Sequence, residues 1–164
     1  TAKIIKNSYN KRENFIIKLQ GLIPNVRFDL YGMKNHQPIW ADNFINALSK
    51  SKIGLNLSQG KPLKYYSSDR FAQLIGNGLL IFIHEKTKFS HFFNNKEIVT
   101  YKNVYDLAKK IIKYSQNDKL RRKIAKNGYK KYFKYFNSTI VADFIIQKTF
   151  GETKKVFFWE SKIK

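Results

Sequence analysis

Five apolar residues in a row, Leu79, Leu80, Ile81, Phe82 and Ile83, follow directly behind the glycines Gly76 and Gly78. A run with no polar interruption fits a central strand covered on both faces, the situation of a parallel sheet with helices on either side. Just ahead, Phe71, Leu74 and Ile75 recur at helical spacing over residues 70–77. Ser67, Ser68 and Asp69 precede them and are all N-cap types, and capping is the role expected of Asp69. Gly78 is placed to end the helix in the left-handed conformation. The order is therefore polar entry, short helix, glycine stop and buried strand. A helix that opens after a polar loop in such a domain points to a bound phosphate. An ordinary α/β connection with no ligand fits the same spacing equally well.

Around this centre the chain alternates strand-like and helix-like segments. Residues 12–22 carry Phe15, Ile16 and Leu19 on one helical face, and a partial first strand is expected at residues 3–5. Residues 26–31 alternate apolar and polar up to Gly32 and predict a strand. Trp40, Phe44, Ile45 and Leu48 predict an amphipathic helix over residues 41–49. Further strands are expected at residues 53–57, 79–83 and 98–101. Beyond them only helices are expected. Val104, Leu107, Ala108, Ile111 and Ile112 follow the amphipathic rule without a miss. Asn117 or Asp118 starts a helix with Leu120, Ile124 and Tyr132 inward. Asn137 and Ser138 start another, with Ile140, Val141, Phe144 and Ile145 on one face. The fold class that results is α/β, a Rossmann-like parallel sheet flanked by helices, with a helical C-terminal region. Residues 1–150 form the domain and residues 151–164 a basic, aromatic tail.

The residues around the central helix resemble the signature near the C-terminus of group 1 glycosyltransferases with the GT-B fold, in the spore-maturation-protein-like branch. Arg70, Phe71, Ala72, Gln73, Leu74, Ile75, Gly76, Asn77 and Gly78 match its arginine-to-glycine register. The strand-like Ile53, Gly54, Leu55, Asn56, Leu57 and Ser58 resemble the segment ahead of it, and a weaker likeness runs over residues 15–150. The resemblance implies the donor-binding C-terminal half of a GT-B enzyme, with the other half, which supplies the acceptor side, outside this chain. It implies transfer of a sugar from a nucleotide-diphosphate sugar to a glycan, lipid-linked saccharide or protein, with no permanently bound cofactor and no metal. Arg70, Lys64, Ser67 and Ser68 would then take the diphosphate, and Gln73 the ribose. Asn56, Ser58 and Tyr65 are further candidates for the same cleft. Gln73 departs from the pattern, which has a glutamate there; an amide is the weaker hydrogen-bond acceptor. No catalytic residue is assigned, and His36, in a loop that lies near the base by resemblance, is given no role.

Composition limits the alternatives. The chain holds 32 Lys and Arg against 11 Asp and Glu, a net charge of +21, and no cysteine, so disulfides and thiolate metal sites are excluded. The charge reads either as a polyanion partner or as lysine-rich compositional drift on solvated faces. Lys119, Arg122, Lys123, Lys126, Lys130 and Lys134 make a basic stripe that is the best candidate for a membrane or polyanion contact, and a solvated helix face is the plainer account of it. The expected compartment is the cytoplasm, with peripheral contact at the inner membrane face as the extension of that reading. The N-terminal residues have neither initiator Met nor signal-peptide core, so a fragment of a longer chain is expected. There is no P-loop, no GxGxxG, no HExxH and no GxSxG. Two other functions compete: a nucleic-acid- or polyanion-binding module using Tyr65, Tyr66, Tyr129 and Phe133, and a catalytically degenerate GT-B domain kept for protein interaction.

Overall fold

The computed structural model describes residues 6–33, 36–58, 60–152 and 155–163. Three parallel strands, β1 (Ile53–Asn56), β2 (Leu80–His84) and β3 (Val99–Tyr101), lie in the order β1-β2-β3. Ile53 stands opposite Leu80 and Phe82 opposite Val99. Parallel neighbours require crossovers. The first runs through helix α3 (Arg70–Gly76) and the second through short 3-10 turns at Glu85–Thr87 and Phe89–His91. The remaining helices are α1 (Lys6–Leu22), α2 (Ala41–Lys50), α4 (Val104–Gln116), α5 (Asp118–Tyr135), α6 (Ser138–Thr149) and α7 (Glu160–Ile163).

β2 feeds two cores. Leu80 and Phe82 join Leu19 and Ile23 near α1, Leu107 and Ile111 of α4, and Ile124 of α5. Ile81 and Ile83 point to the opposite face, where they meet Leu48 of α2, Leu74 and Ile75 of α3, and Phe89, Phe92 and Phe93. The expected two-sided cover of this strand is thus observed, and the fold is α/β with helices on both faces. Burying each such side chain contributes about 1.5–3 kcal/mol. α3 ends as expected at Gly78, whose φ is 75°: its N–H bonds Ile75 O at 3.0 Å and the Leu79 N–H bonds Leu74 O at 3.1 Å. That pair of bonds is a Schellman cap, and it uses the Leu79 N–H, so the strand begins at Leu80.

Asn103, Asn117 and Asn137 cap α4, α5 and α6 through their side-chain oxygens, the last two as expected. Asp69 does not cap α3: it is itself in helical conformation and makes no side-chain cap bond. The strand expected at residues 26–31 does not form: the segment has no regular secondary structure and pairs with no described strand. Its period of two survives in burial, with Val26 and Phe28 against the first core and Arg27 and Asp29 facing water. Alternation records which side chains are covered; a strand also needs a backbone neighbour. The partial strand expected at residues 3–5 lies outside the described residues.

Two helix faces also differ from expectation. On α2, Leu48 is buried and Phe44 is half-buried, but Ile45 and the preceding Trp40 are exposed. On α6 the covered side is shifted toward Ile140, Phe144 and Gln147, leaving Val141 and Ile145 exposed. The tail folds back over this region. Phe157 is buried against Phe144 (ring centroids 5.1 Å apart), and Phe158 stacks on Tyr135 at 4.4 Å.

The apolar side of α5 is interrupted by Gly128, which is buried. A Cβ at this position would drive into the backbone carbonyl of Glu97, just before β3, and also meet Ile75 at 3.4 Å. The same approach is held by Lys131 Nζ on Glu97 Oε2 (2.8 Å) and by Asn127 Nδ2 donating to Lys96 O (3.0 Å). Backbone cannot move aside as a side-chain tip can. Gly128→Ala is therefore expected to cost about 1–3 kcal/mol of stability in a urea titration. Gly76→Ala, where a Cβ meets only Phe133 at 4.0 Å, should be neutral or slightly stabilising. Equal stability of the two variants would remove the backbone contact as the reason for Gly128.

Candidate functional site

The three strands end side by side at Asn56, His84 and Tyr101, and the loops that follow define one edge of the sheet. Ligands of parallel α/β sheets bind at such carboxyl edges. Asn56 is buried, and its Oδ1 accepts a hydrogen bond from Ser68 Oγ at 3.0 Å. Two of the residues singled out in the sequence are thus brought together, and their bond ties the end of β1 to the start of α3. Because Ser68 donates to Asn56, its oxygen keeps only acceptor capacity.

The loop between them has a second anchor. Tyr65 has a φ of 60°, unusual for a residue with a Cβ. Its N–H donates to Thr87 O at 2.8 Å, and its hydroxyl lies 2.9 Å from His91 Nδ1. Its ring sits against Phe92 with centroids 5.3 Å apart, and Lys64 Nζ lies 4.8 Å above it. Tyr65 therefore pins the loop to the crossover that follows β2. Ser58 and Ser67 are half-buried beside these anchors, and Lys64 is exposed.

Arg70 opens α3 and is half-buried. Arg12, from α1, is also half-buried and close enough to feel the Arg70 charge; desolvation first and that repulsion second hold its guanidinium below the usual arginine range. Neither arginine has a carboxylate partner among the described residues. Each of these half-buried guanidinium groups, within electrostatic range of the other, carries a planar fork of donors of the kind that suits an anion. Gln73 lies three residues beyond Arg70, which puts it on the same face of α3. Its side chain is half-buried and has no hydrogen-bond partner among the described residues.

At the end of β2, burial holds the His84 imidazole below its ordinary pKa. Its Nδ1 accepts a hydrogen bond from the Lys86 N–H at 3.1 Å, which requires the neutral ring, and its edge meets the buried Tyr101. Thr87 Oγ1 donates to His84 O at 2.7 Å. These bonds shape the turn after β2 and leave no nucleophile poised. Among the described residues no three of His, Asp and Glu converge as a metal site would need.

Arg12, Thr87 and His91 were not legible as part of this edge. Nothing in the order of residues announces that α1 brings a second arginine to the first, because that meeting is a product of the tertiary fold. The positive φ of Tyr65 likewise carries no mark in a sequence where glycine or asparagine would be the usual signal.

A family model described as glycosyl transferase-like matches residues 11–147, a span that takes in both arginines, the whole sheet and most of α1 through most of α6. No curated protein and no solved structure matches the chain. With a parallel sheet between two helical layers and a basic carboxyl edge inside the matched span, the chain belongs to the glycosyl transferase-like family.

Proposed function

We propose that this domain binds the nucleoside-diphosphate portion of a sugar donor at the carboxyl edge of its sheet, as the donor half of a cytoplasmic GT-B glycosyltransferase of the spore-maturation-protein-like branch. The observation that carries the reading is the pair Arg12 and Arg70, half-buried, mutually repelling and without a carboxylate. Like charges so placed destabilise an empty site and strengthen it for an anion. A diphosphate supplies two phosphoryl groups for the two forks. Lys64 adds a point charge, Ser67 a hydroxyl, and Gln73, on the Arg70 face of α3, the contact to ribose hydroxyls. Asn56 and Ser68 hold the loop in place, with Ser58 and Tyr65 as its inner wall.

In the reaction the bond between the anomeric carbon and the diphosphate oxygen breaks while an acceptor hydroxyl attacks that carbon, its proton passing to a base that a facing domain would supply. Negative charge grows on the departing diphosphate. Cations already fixed around that position stabilise it more in the transition state than in the ground state. No metal is needed for that role. The acceptor, a glycan, a lipid-linked saccharide or a protein, would be presented by a facing domain.

A thermal-shift panel of UDP, GDP and ADP at physiological salt tests the reading. One nucleoside diphosphate at a hundred times its Kd should stabilise the chain by about 2.7 kcal/mol. Arg70→Ala should weaken that ligand about 10- to 100-fold. A chain that answers only to a single-stranded oligonucleotide, with an affinity that collapses as salt rises, would instead be a polyanion binder.

Arg12→Gln gives a sharper outcome, because its two effects have opposite signs. It removes the repulsion and the desolvated charge, so the melting temperature without ligand should rise while diphosphate affinity falls about tenfold. A loss of both would make Arg12 a structural residue. Gln73→Glu should tighten nucleoside diphosphates about threefold to tenfold through a stronger acceptor for ribose. Inorganic pyrophosphate, which has no ribose, should not gain. If it tightens pyrophosphate equally, Gln73 does not face the ribose.

A further inference from the structure

The outer face of α5 is separate from the site just described. Lys119, Arg122, Lys123, Lys126, Lys130 and Lys134 are all exposed on it. At 100° per residue they fall within one continuous arc. Tyr129 and Phe133 lie at the border of that arc, 40% and 44% exposed, with ring centroids 4.6 Å apart. The sequence of α5 contains one carboxylate, Asp118, and it is engaged at the helix start by Arg121 and Arg122. The stripe beyond it has no neutralising partner on its own helix. The opposite face is fixed to the body of the domain by Gly128, Asn127 and Lys131, so the stripe is a rigid array.

We propose that this face of α5 docks the domain on an anionic phospholipid surface. The charge is complementary, and its form suits lipid better than nucleic acid. Five of the six cations are lysines, point charges that match the diffuse potential of a headgroup layer. The one arginine turns its Nε to Asp118 at 3.0 Å, so no free fork faces outward from that nitrogen to read a base edge. Tyr129 and Phe133 pack against each other, with Phe133 also edge-on to Tyr132 at 5.6 Å. They form a small apolar ridge among the lysines, the arrangement that settles at headgroup depth. The α5 helix lies flat with its apolar side kept in the protein core, so the contact is peripheral.

The test is co-flotation of the chain with vesicles of phosphatidylcholine alone or with 30% phosphatidylglycerol, in 150 mM salt. The chain should float with the anionic vesicles and stay behind with the neutral ones. Lys123→Gln, Lys126→Gln, Lys130→Gln and Lys134→Gln together should lower binding on the order of a hundredfold or more, at about fivefold per lysine. A control of equal net charge, with Lys50, Lys86, Lys109 and Lys113 changed to Gln, should lose less than tenfold. Tyr129→Ser with Phe133→Ser should weaken vesicle binding severalfold and leave heparin affinity unchanged. Failure of the parent chain to float, or an equal loss in the charge control, overturns the proposal. So does a single-stranded oligonucleotide that binds through the same four lysines while vesicles do not.

Discussion

Everything in this domain hangs on one strand being covered from both sides. β2 sends Leu80 and Phe82 into one core and Ile81 and Ile83 into the other. Its neighbours are parallel to it, so every connection must cross over, and the chain ends of all three strands face the same way. A register slip of one residue would exchange the two cores at a single stroke. The fixed register is also what puts Asn56, His84 and Tyr101 along one edge. The placement of the candidate site is therefore a consequence of core packing before it is a matter of ligand chemistry.

At that edge the loop after β1 is held at two points that do not depend on each other. Ser68 is tied to Asn56, and Tyr65 is tied to the turn after β2 through its backbone, its ring and its hydroxyl. The positive φ of Tyr65 is strain that the surrounding bonds must hold. A loop fixed this way presents Arg70 from a defined position, and the fold brings Arg12 up to it. Several carboxylates elsewhere do meet a cation. Asp106 meets Lys110, Glu97 meets Lys131, and Asp118 gathers Arg121 and Arg122. Carboxylates are scarce, and the fold spends none of those it has on the arginine pair. A site kept electrostatically unfinished is one that gains most from an incoming anion.

The sequence reveals the parts of the fold that rest on local rules. The apolar run of β2, the glycine end of α3, the asparagine caps of α5 and α6, and the apolar rhythm of α4 all follow from residue type and spacing. It misleads where a local pattern needs a partner to become structure. Residues 26–31 have the alternation of a strand and no described strand beside them. α2 and α6 have wider apolar stripes than their neighbours cover, so Ile45 and Ile145 face water. Gly128 interrupts the apolar side of α5 because the Glu97 backbone leaves no room for a Cβ there. At the sheet edge, residue types singled out Arg70, Ser68 and Asn56 as candidates, while Arg12 needed the fold itself.

The surplus of positive charge has one origin in composition and two different fates in the structure. A net charge of +21 spread evenly would be a matter of solubility alone. The fold does not spread it evenly. At the sheet edge it holds two guanidinium groups half out of water, where a charge interacts strongly over a short range and discriminates between anions by geometry. Along α5 it lines up exposed lysines, where water and salt screen each one and only the sum over a surface matters. The same excess therefore yields a half-buried pair in one place and an exposed array in the other. Burial, together with the difference between guanidinium fork and ammonium point charge, is what separates the two.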